Sequence, residues 1–292
     1  MIVKTLLSFT QDKDIKNFHV EPLSPKHENS LEFHKHDFYQ IIFLEKGNAK
    51  HFVDFKTYEM QAPSIAFVFP QQIHNLTLSE EASGSMLFFD ETVFCSDILA
   101  NELAEYNVDL HRRVNNLLFL ENPTAWNDIR SIYSSIQSMY YQSCNDLDKM
   151  QIKLSIKILI LKIVGVAPSN RPQAPDHRNI QLYSQFRKLV SDNFKIERKV
   201  SFYSDQLGIS SKTLTTICQQ YGGDSPLNII HDALSTEIKQ IFMFEEESLK
   251  EIAFKLGFPS QSALNKYINS KFGCTPSELK KQILDTVMGE RL

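Results

Sequence analysis

The C-terminal part of this chain contains one sequence pattern twice, and this repeat limits the available folds more than any other feature. The two copies are SDQLGISSKTLTTICQQYGGDSP, residues 204 to 226, and AFKLGFPSQSALNKYINSKFGCTP, residues 253 to 276. Both run from Leu-Gly through a polar segment to an aromatic-Gly pair and then to Ser-Pro or Thr-Pro. Gly208 and Gly257 are 49 positions apart, and Pro226 and Pro276 are 50 positions apart. This spacing predicts one structural unit that is used twice.

Each copy predicts two short helices joined by a sharp turn. Gly208 and Gly257 supply the left-handed backbone conformation of such a turn, which glycine adopts without a Cβ penalty. In the second copy Leu264, Ile268 and Phe272 form the inward stripe of the second helix. The outward face then carries the polar residues Gln261, Ser262, Asn265, Lys266 and Asn269. We therefore predict that this helix projects from the domain and enters a groove of DNA.

The segment between the copies predicts a longer helix from Leu227 to about residue 244, about 26 Å in length. Such a helix would hold the second helices of the two copies near one DNA turn apart, roughly 34 Å. Thr275-Pro276-Ser277-Glu278 combines a capping box with a proline at the first helical position, which predicts a further helix start. Within the second copy, Ser260 is the candidate N-cap of the projecting helix.

The second copy with its flanks, LKEIAFKLGFPSQSALNKYINSKFGCTPSELKK, resembles the signature of AraC/XylS-type transcription regulators. The resemblance extends over roughly residues 180 to 283 and includes the glycines, the spacing and the duplication. It implies that the second helix of each copy reads base pairs. The implied base-reading residues are Lys212, Thr215 and Thr216 in the first copy and Gln261, Ser262, Asn265 and Lys266 in the second. Lys250 and Lys271 are candidates for contacts with phosphate groups.

The first hundred residues predict short β-strands. YQIIFLE (39 to 45), KHFVDF (50 to 55), SIAFVFP (64 to 70) and SMLFFD (85 to 90) are rich in β-branched and aromatic residues. Turn residues such as Gly47-Asn48 and Ala62-Pro63 separate them. Short strands at this close spacing favour a small antiparallel barrel or sandwich.

Three histidines and a glutamine in this region form a recognisable pattern. His34, His36, Gln40 and Gly47 have the spacing H-x-H-x3-Q-x6-G, and His74 follows four residues after a proline. The pattern resembles the motif pair of cupins, which implies a small barrel with these side chains at a binding site. Two interpretations stay open, and we favour structural or ligand-pocket histidines. The other is a divalent metal site, weakened because Gln40 stands where metal-binding cupins usually have glutamate.

The period of the apolar residues becomes helical after Asp97. The apolar positions are Ile98, Leu99, Leu103 and Tyr106, then Ile129, Ile132, Tyr133, Ile136 and Tyr140, then Ile152, Ile156, Leu159, Ile160 and Ile163. We predict that these helices pair two chains, with the stripe from Ile129 to Tyr140 and Met139 as the contact. An intramolecular core is the alternative for that stripe. VAPSNRPQAPDHR, residues 166 to 178, has three prolines and no apolar period, which predicts a linker.

Composition indicates the class of protein and its cellular compartment. The 292 residues are 42% hydrophobic and 23% charged, which is typical of a soluble globular protein. The start, MIVKTLLSFTQDKD, lacks the apolar region of a signal peptide, and no apolar run is long enough to span a membrane. Four cysteines without C-x-x-C spacing argue against a zinc ribbon and fit a cytoplasmic protein. From Asp176 onward, 15 lysines and arginines stand against 14 acidic residues, so DNA affinity would rest on a few placed cations.

Together these features predict an α+β fold with two domains. Residues 1–165 form a cupin-like antiparallel β-barrel with a helical dimerisation segment, 166–178 a linker, and 179–292 an all-α domain with two helix-turn-helix units. The predicted function is a sequence-specific transcription regulator that responds to a small-molecule effector in the barrel, near His34, His36, Gln40 and His74.

The predicted partners are double-stranded DNA, the effector, a second copy of the chain and RNA polymerase, with no membrane and no cofactor. No catalytic residues are predicted. A metal-dependent cupin enzyme with a helical appendage is the first alternative, with His34, His36 and His74 as ligands. A protein that kept the DNA-binding fold but acts without DNA is the second.

Overall fold

The computed structural model describes residues 18–28, 33–90, 93, 116–120, 122–142, 145–167, 177–245 and 247–289. The chain divides into two compact units, Met1–Ala174 and Pro175–Leu292, called here the N-terminal and the C-terminal unit. Most of the predicted linker lies outside the described residues, as do the helical positions Ile98, Leu99, Leu103 and Tyr106. Among the helices of the described residues, none has the length and the apolar content that crossing a membrane requires.

The N-terminal unit contains two antiparallel sheets. Its elements are β1 (Phe18–Pro22), α1 (Pro25–Glu28), β2 (Tyr39–Lys46), β3 (Asn48–Val53), β4 (Lys56–Gln61), β5 (Ser64–Val68), β6 (His74–Leu78), β7 (Ser83–Phe89) and β8 (Leu117–Phe119). The larger sheet has the order β1-β7-β2-β5-β8, and the smaller has the order β4-β3-β6. The four predicted strands correspond to β2, β3, β5 and β7, and the antiparallel architecture is confirmed.

The larger sheet is buried on both faces. Ile42 and Leu44 of β2 belong to one apolar cluster, which also includes Ala49 and Leu76 from the smaller sheet. The alternate residue Ile41 belongs to a second cluster, which includes two long helices instead. Because successive side chains of a strand point to opposite faces, β2 is buried along most of its length. The space between the two sheets is called the barrel interior below.

The two long helices of this unit are α2 (Pro123–Tyr141) and α3 (Asp146–Val166). Ile129, Tyr133 and Ile136 of α2 are fully or almost fully buried, and the ring of Tyr133 lies 4.4 Å from that of Phe43 in β2. The stripe predicted to join two chains is therefore covered within one chain. The prediction of that stripe as the dimer contact was wrong, because periodicity reveals an apolar face but not what covers it.

Helix α3 is apolar on two sides. Its inner side packs into the same cluster and consists of Ile152, Ile156, Leu159, Ile160 and Ile163. Its outer side exposes Leu147, Met150, Leu154 and Ile158 to solvent. A helix that is hydrophobic around most of its circumference is usually buried on both sides.

The C-terminal unit is helical in its described residues. Its elements are α4 (His177–Asn193), α5 (Val200–Gln206), α6 (Ser211–Gly222), α7 (Pro226–Phe244), α8 (Leu249–Lys255), α9 (Gln261–Phe272) and α10 (Pro276–Gly289). The pairs α5–α6 and α8–α9 are the two predicted helix-turn-helix units, and α7 is the connecting helix. We call α6 and α9 the recognition helices.

Both turns contain a glycine in the left-handed region, with φ of +64° at Gly208 and +67° at Gly257. A Cβ at Gly257 would also collide with the carbonyl oxygen of Lys195, whereas Gly208 has open space around it. The guanidinium of Arg198 donates to the carbonyl of Leu256 and lies 4.1 Å from the ring centre of Phe258. The second turn is thus fixed by packing as well as by its glycine.

Serine N-caps start both recognition helices. The Ser210 hydroxyl accepts from the backbone N–H of Thr213 at 3.0 Å, and the Ser260 hydroxyl accepts from that of Ala263 at 3.2 Å. The predicted cap at Ser260 is confirmed. The second turn therefore has one residue more between its glycine and its cap than the first turn has.

Candidate nucleic-acid interface and effector site

Recognition helix α6 is anchored by one face and exposes the other. Leu214, Ile217, Cys218 and Tyr221 are buried and hold the helix against the unit. The opposite face exposes Lys212, Thr216 and Gln219, which follow the i, i+4, i+7 spacing of one helical stripe, with Thr215 half-buried beside it. The structure thus leaves two of the three predicted base-reading residues of α6 exposed and the third partly so.

The threonine hydroxyls of α6 are bonded within the protein. Thr215 Oγ1 donates to the carbonyl of Ser211 at 2.9 Å, and Thr216 Oγ1 donates to that of Lys212 at 3.2 Å. The hydroxyl of Thr213 lies 2.8 Å from that of the cap residue Ser210. Threonine in a helix commonly bonds the preceding turn in this way.

Recognition helix α9 presents a similar arrangement with different side chains. Leu264 and Ile268 are its buried anchors, and Gln261, Ser262 and Lys266 are exposed. Asn265 is half-buried, and its Oδ1 atom is buried without a hydrogen-bond partner among the described residues. An unsatisfied amide oxygen costs about 1–3 kcal/mol, which a donor on a bound partner would recover.

The lysines of this surface differ in their electrostatic environment. Lys212 and Lys266 form no salt bridge with any acidic side chain that the structure describes, and Lys250 on α8 is also exposed. Lys271 instead pairs with Asp232, with 3.0 Å between Nζ and Oδ1. The recognition helices therefore each carry one uncompensated positive charge, whereas the charge of Lys271 is balanced locally.

The predicted ligand residues of the N-terminal unit come together at the barrel interior. His34, His36, Gln40 and His74 are all buried. The ring centres of His34 and His74 are 4.3 Å apart, those of His36 and His74 are 5.0 Å apart, and His36 Nε2 lies 3.3 Å from Gln40 Oε1. His34 and His74 also exchange two backbone hydrogen bonds, which hold the two segments together.

A fourth histidine, His51, belongs to this cluster and is absent from the sequence prediction. It lies on β3, is 0% exposed, and its ring centre is 5.7 Å from that of His74. His51 is two residues from Ala49, so it shares the face of β3 that points into the barrel interior. Alternation along β3 indicates its inward direction from the sequence, but not its closeness to the other histidines. We call His34, His36, His51 and His74 the histidine cluster.

Burial favours the neutral form of three of these imidazoles, His36, His51 and His74. Desolvation, with repulsion from His34, lowers the pKa of His36 from 6.5 to about 4 and that of His51 to about 3. The pKa of His74 is also well below its ordinary value, for the same reasons. Both ring nitrogens of His51 and both of His74 are buried without a hydrogen-bond partner among the described residues. The described residues include no group of three or more His, Cys, Asp or Glu side chains arranged to hold a metal ion.

Two family models match the chain. The model described as "Helix-turn-helix domain" matches residues 203–282, and the model described as "AraC-like ligand binding domain" matches residues 18–150. Together they cover both units.

The chain is also similar to curated relatives and to solved structures. The HTH-type transcriptional activator RhaS of Klebsiella pneumoniae (strain 342) is 21% identical over 268 residues, which is 90% of this chain and 91% of that protein. RhaS of Citrobacter koseri is 20% identical over 264 residues, again 90% and 91%. Among solved structures, ToxT from Vibrio cholerae is 17% identical, with a TM-score of 0.43 over 91% of this chain and 98% of that chain.

The histidine cluster predicts an acid-sensitive N-terminal unit. The folded pKa values of His36 and His51 lie below 6.5, so the unfolded chain binds more protons as the pH falls, and the folded state loses stability. The contribution of neutral His36 and His51 to the free energy of unfolding is fully present above about pH 6.5 and declines toward pH 4. His51→Leu should reduce the slope of the free energy of unfolding against pH by up to about 1.4 kcal/mol per pH unit.

Urea unfolding at several pH values, followed by tryptophan fluorescence, measures this slope. The single tryptophan of the chain, Trp126, lies on α2 and reports the N-terminal unit. His231→Leu is the matched control, because His231 belongs to the C-terminal unit and should leave the slope seen by Trp126 unchanged. Equal slopes for the wild type and His51→Leu would contradict the assignment.

Proposed function

Because this chain belongs to the AraC/XylS family of DNA-binding transcription regulators, we propose that α6 and α9 read DNA and that the histidine cluster binds a small effector. The observation that carries the proposal is the pair of exposed, uncompensated lysines, Lys212 and Lys266, one on each recognition helix. The helices are anchored by buried residues behind them, so these side chains stand on a rigid support.

Each polar residue on the recognition helices has a chemically suited target. Lysine can donate to the acceptors of guanine, and the amides of Gln261 and Asn265 can bond adenine in a bidentate way. Ser262 can bond either a base or a phosphate. Lys250 is proposed as a phosphate contact. Lys271 takes the same role at little cost, because an exposed pair such as that with Asp232 contributes at most about 1 kcal/mol.

Selection from a random DNA pool followed by gel-shift titration tests DNA reading. Lys212→Ala and Lys266→Ala should each weaken binding to the selected site by about 1–3 kcal/mol, because each removes a base contact. Lys281→Ala is the matched control, since Lys281 is an exposed lysine on α10 and belongs to neither recognition helix. Undiminished binding by both variants would remove these residues from DNA reading, and a loss with Lys281→Ala would point to a nonspecific charge effect.

We also propose that the effector is a neutral molecule with hydroxyl groups. Neutral imidazoles each offer one donor and one acceptor, so the unpartnered nitrogens of His51 and His74 call for two of each. Hydroxyl groups both donate and accept, whereas a carboxylate only accepts and would face two imidazole lone pairs. Gln40 adds an amide to the same surroundings, within hydrogen-bonding distance of His36.

Thermal unfolding in the presence of neutral polyols and of carboxylic acids tests the effector class. We expect at least one neutral polyol to raise the unfolding temperature of the wild type, because ligands that bind only the folded state stabilise it. The same compound should not stabilise His51→Leu. Stabilisation by acids alone, or equal stabilisation of the variant, would contradict the proposed class.

A second copy of the chain is the proposed occupant of the outer side of α3. Leu154 is the centre of a symmetric pattern of exposed apolar residues, with Met150 and Ile158 four residues away on either side. Two such helices that cross antiparallel at Leu154 would place each apolar side chain against its counterpart, as a two-fold interface requires.

Light scattering at tens of micromolar tests this dimer. The wild type is expected to be dimeric, and Leu154→Arg should be monomeric because it places two like charges at the two-fold axis. Ser134→Arg, on the exposed polar face of α2, is the control and should stay dimeric. A monomeric wild type, or a dimeric Leu154→Arg, would contradict the interface.

Five further predictions complete the proposal. We propose that the two domains have the boundaries 1–165 and 179–292, with 166–178 as a linker.

We also propose that the protein activates transcription, as the names of the RhaS relatives suggest. RNA polymerase is then a proposed partner, and the proposed location is the cytoplasm. The metal-dependent enzyme has no ligand set of three His, Cys, Asp or Glu side chains within the described residues, so we propose no catalytic role.

A further inference from the structure

The two recognition helices differ in the chemistry that their outer faces offer to DNA. Helix α9 presents amides, a serine and a lysine, with no threonine. Helix α6 contains three threonines, and every one of their hydroxyls has a partner within the helix or its cap. This difference does not follow from the family or from the sequence, because it depends on where each hydroxyl points.

The hydroxyl of Thr216 is the decisive one. Thr216 lies between Lys212 and Gln219 on the most exposed stripe of α6, and its Oγ1 is directed back to the carbonyl of Lys212 at 3.2 Å. With the oxygen directed along the helix, the methyl group is the part of the side chain left to meet a partner. Thr215, at the edge of the same face, repeats the arrangement with Ser211.

A methyl group in the major groove has one specific counterpart. Thymine carries a 5-methyl group there that no other base has, and threonine methyl groups are suited to pack against it. We propose that α6 reads thymine through the methyl group of Thr216, with Thr215 beside it, whereas α9 reads its half-site by hydrogen bonds. The inference rests on the proposed DNA binding by α6 and specifies the base that this helix prefers.

The contact increases binding affinity because apolar surface is buried between the two methyl groups. Such a contact is worth about a fourfold change in affinity, estimated from the burial of one methylene-sized group. Turning the hydroxyl toward a base edge would instead break its bond to the carbonyl of Lys212. If that hydroxyl donated to a base acceptor, it would therefore only exchange one hydrogen bond for another.

Deoxyuridine in place of thymidine tests the inference, because it removes the 5-methyl group and keeps the base pairing. The site is first selected from a random pool, and the half-site of α6 is identified by its altered protection with Lys212→Ala. We expect uracil at one or two thymines of this half-site to weaken wild-type binding about fourfold. Uracil in the half-site of α9 is the matched control and should have no such effect.

Two variants of Thr216 separate the methyl group from the hydroxyl. Thr216→Val keeps a methyl group and removes the hydroxyl, so its affinity and its sensitivity to uracil should match those of the wild type. Thr216→Ser keeps the hydroxyl and removes the methyl group, so it should bind thymine-containing DNA about fourfold more weakly and be insensitive to uracil. Thermal unfolding of both variants checks that this exposed position leaves folding unchanged.

The outcomes distinguish this inference from the proposed function. Binding that tolerates uracil throughout the half-site of α6, or that is lost in Thr216→Val and kept in Thr216→Ser, overturns the inference and leaves DNA reading intact. A chain that enriches no sequence from the pool overturns the proposed function and the inference with it.

Discussion

The sharp turn inside each helix-turn-helix unit is the constraint on which the DNA-binding surface depends. A left-handed glycine redirects the chain between the first and the second helix, and residues outside the helix-turn-helix pair secure the second turn. Arg198 holds Leu256 and Phe258, and the backbone at Lys195 leaves no room for a side chain at Gly257. The direction of α9 is thus set by packing within the C-terminal unit. This packing, and not a flexible loop, fixes the position of its polar face.

A different constraint governs the N-terminal unit. Its larger sheet has helices on one face and the smaller sheet on the other, so most side chains that point into the barrel interior are removed from water. Apolar side chains gain from this placement, but imidazoles lose their charge, and two of them lose their hydrogen-bond partners. These buried imidazoles therefore lower the stability of the N-terminal unit at the place where the family relationship leads one to expect a ligand.

Much of the fold could be predicted from the sequence because its signals are local. The repeat, the two glycines, the Ser260 cap and four strands follow from spacing and from residue type. The edge strand β4 was missed because its residues KTYEMQ are mostly polar and largely exposed. His51 was missed because only strand pairing shows that it joins the histidines of two other segments.

The dimer stripe was assigned to α2 because the period of an apolar face does not identify its neighbour. The second turn is one residue longer than the first, and the two recognition helices carry different side chains. If both recognition helices read DNA as proposed, turning the DNA end for end would present each helix with the wrong base edges. A single chain would then bind its site in one orientation and distinguish upstream from downstream.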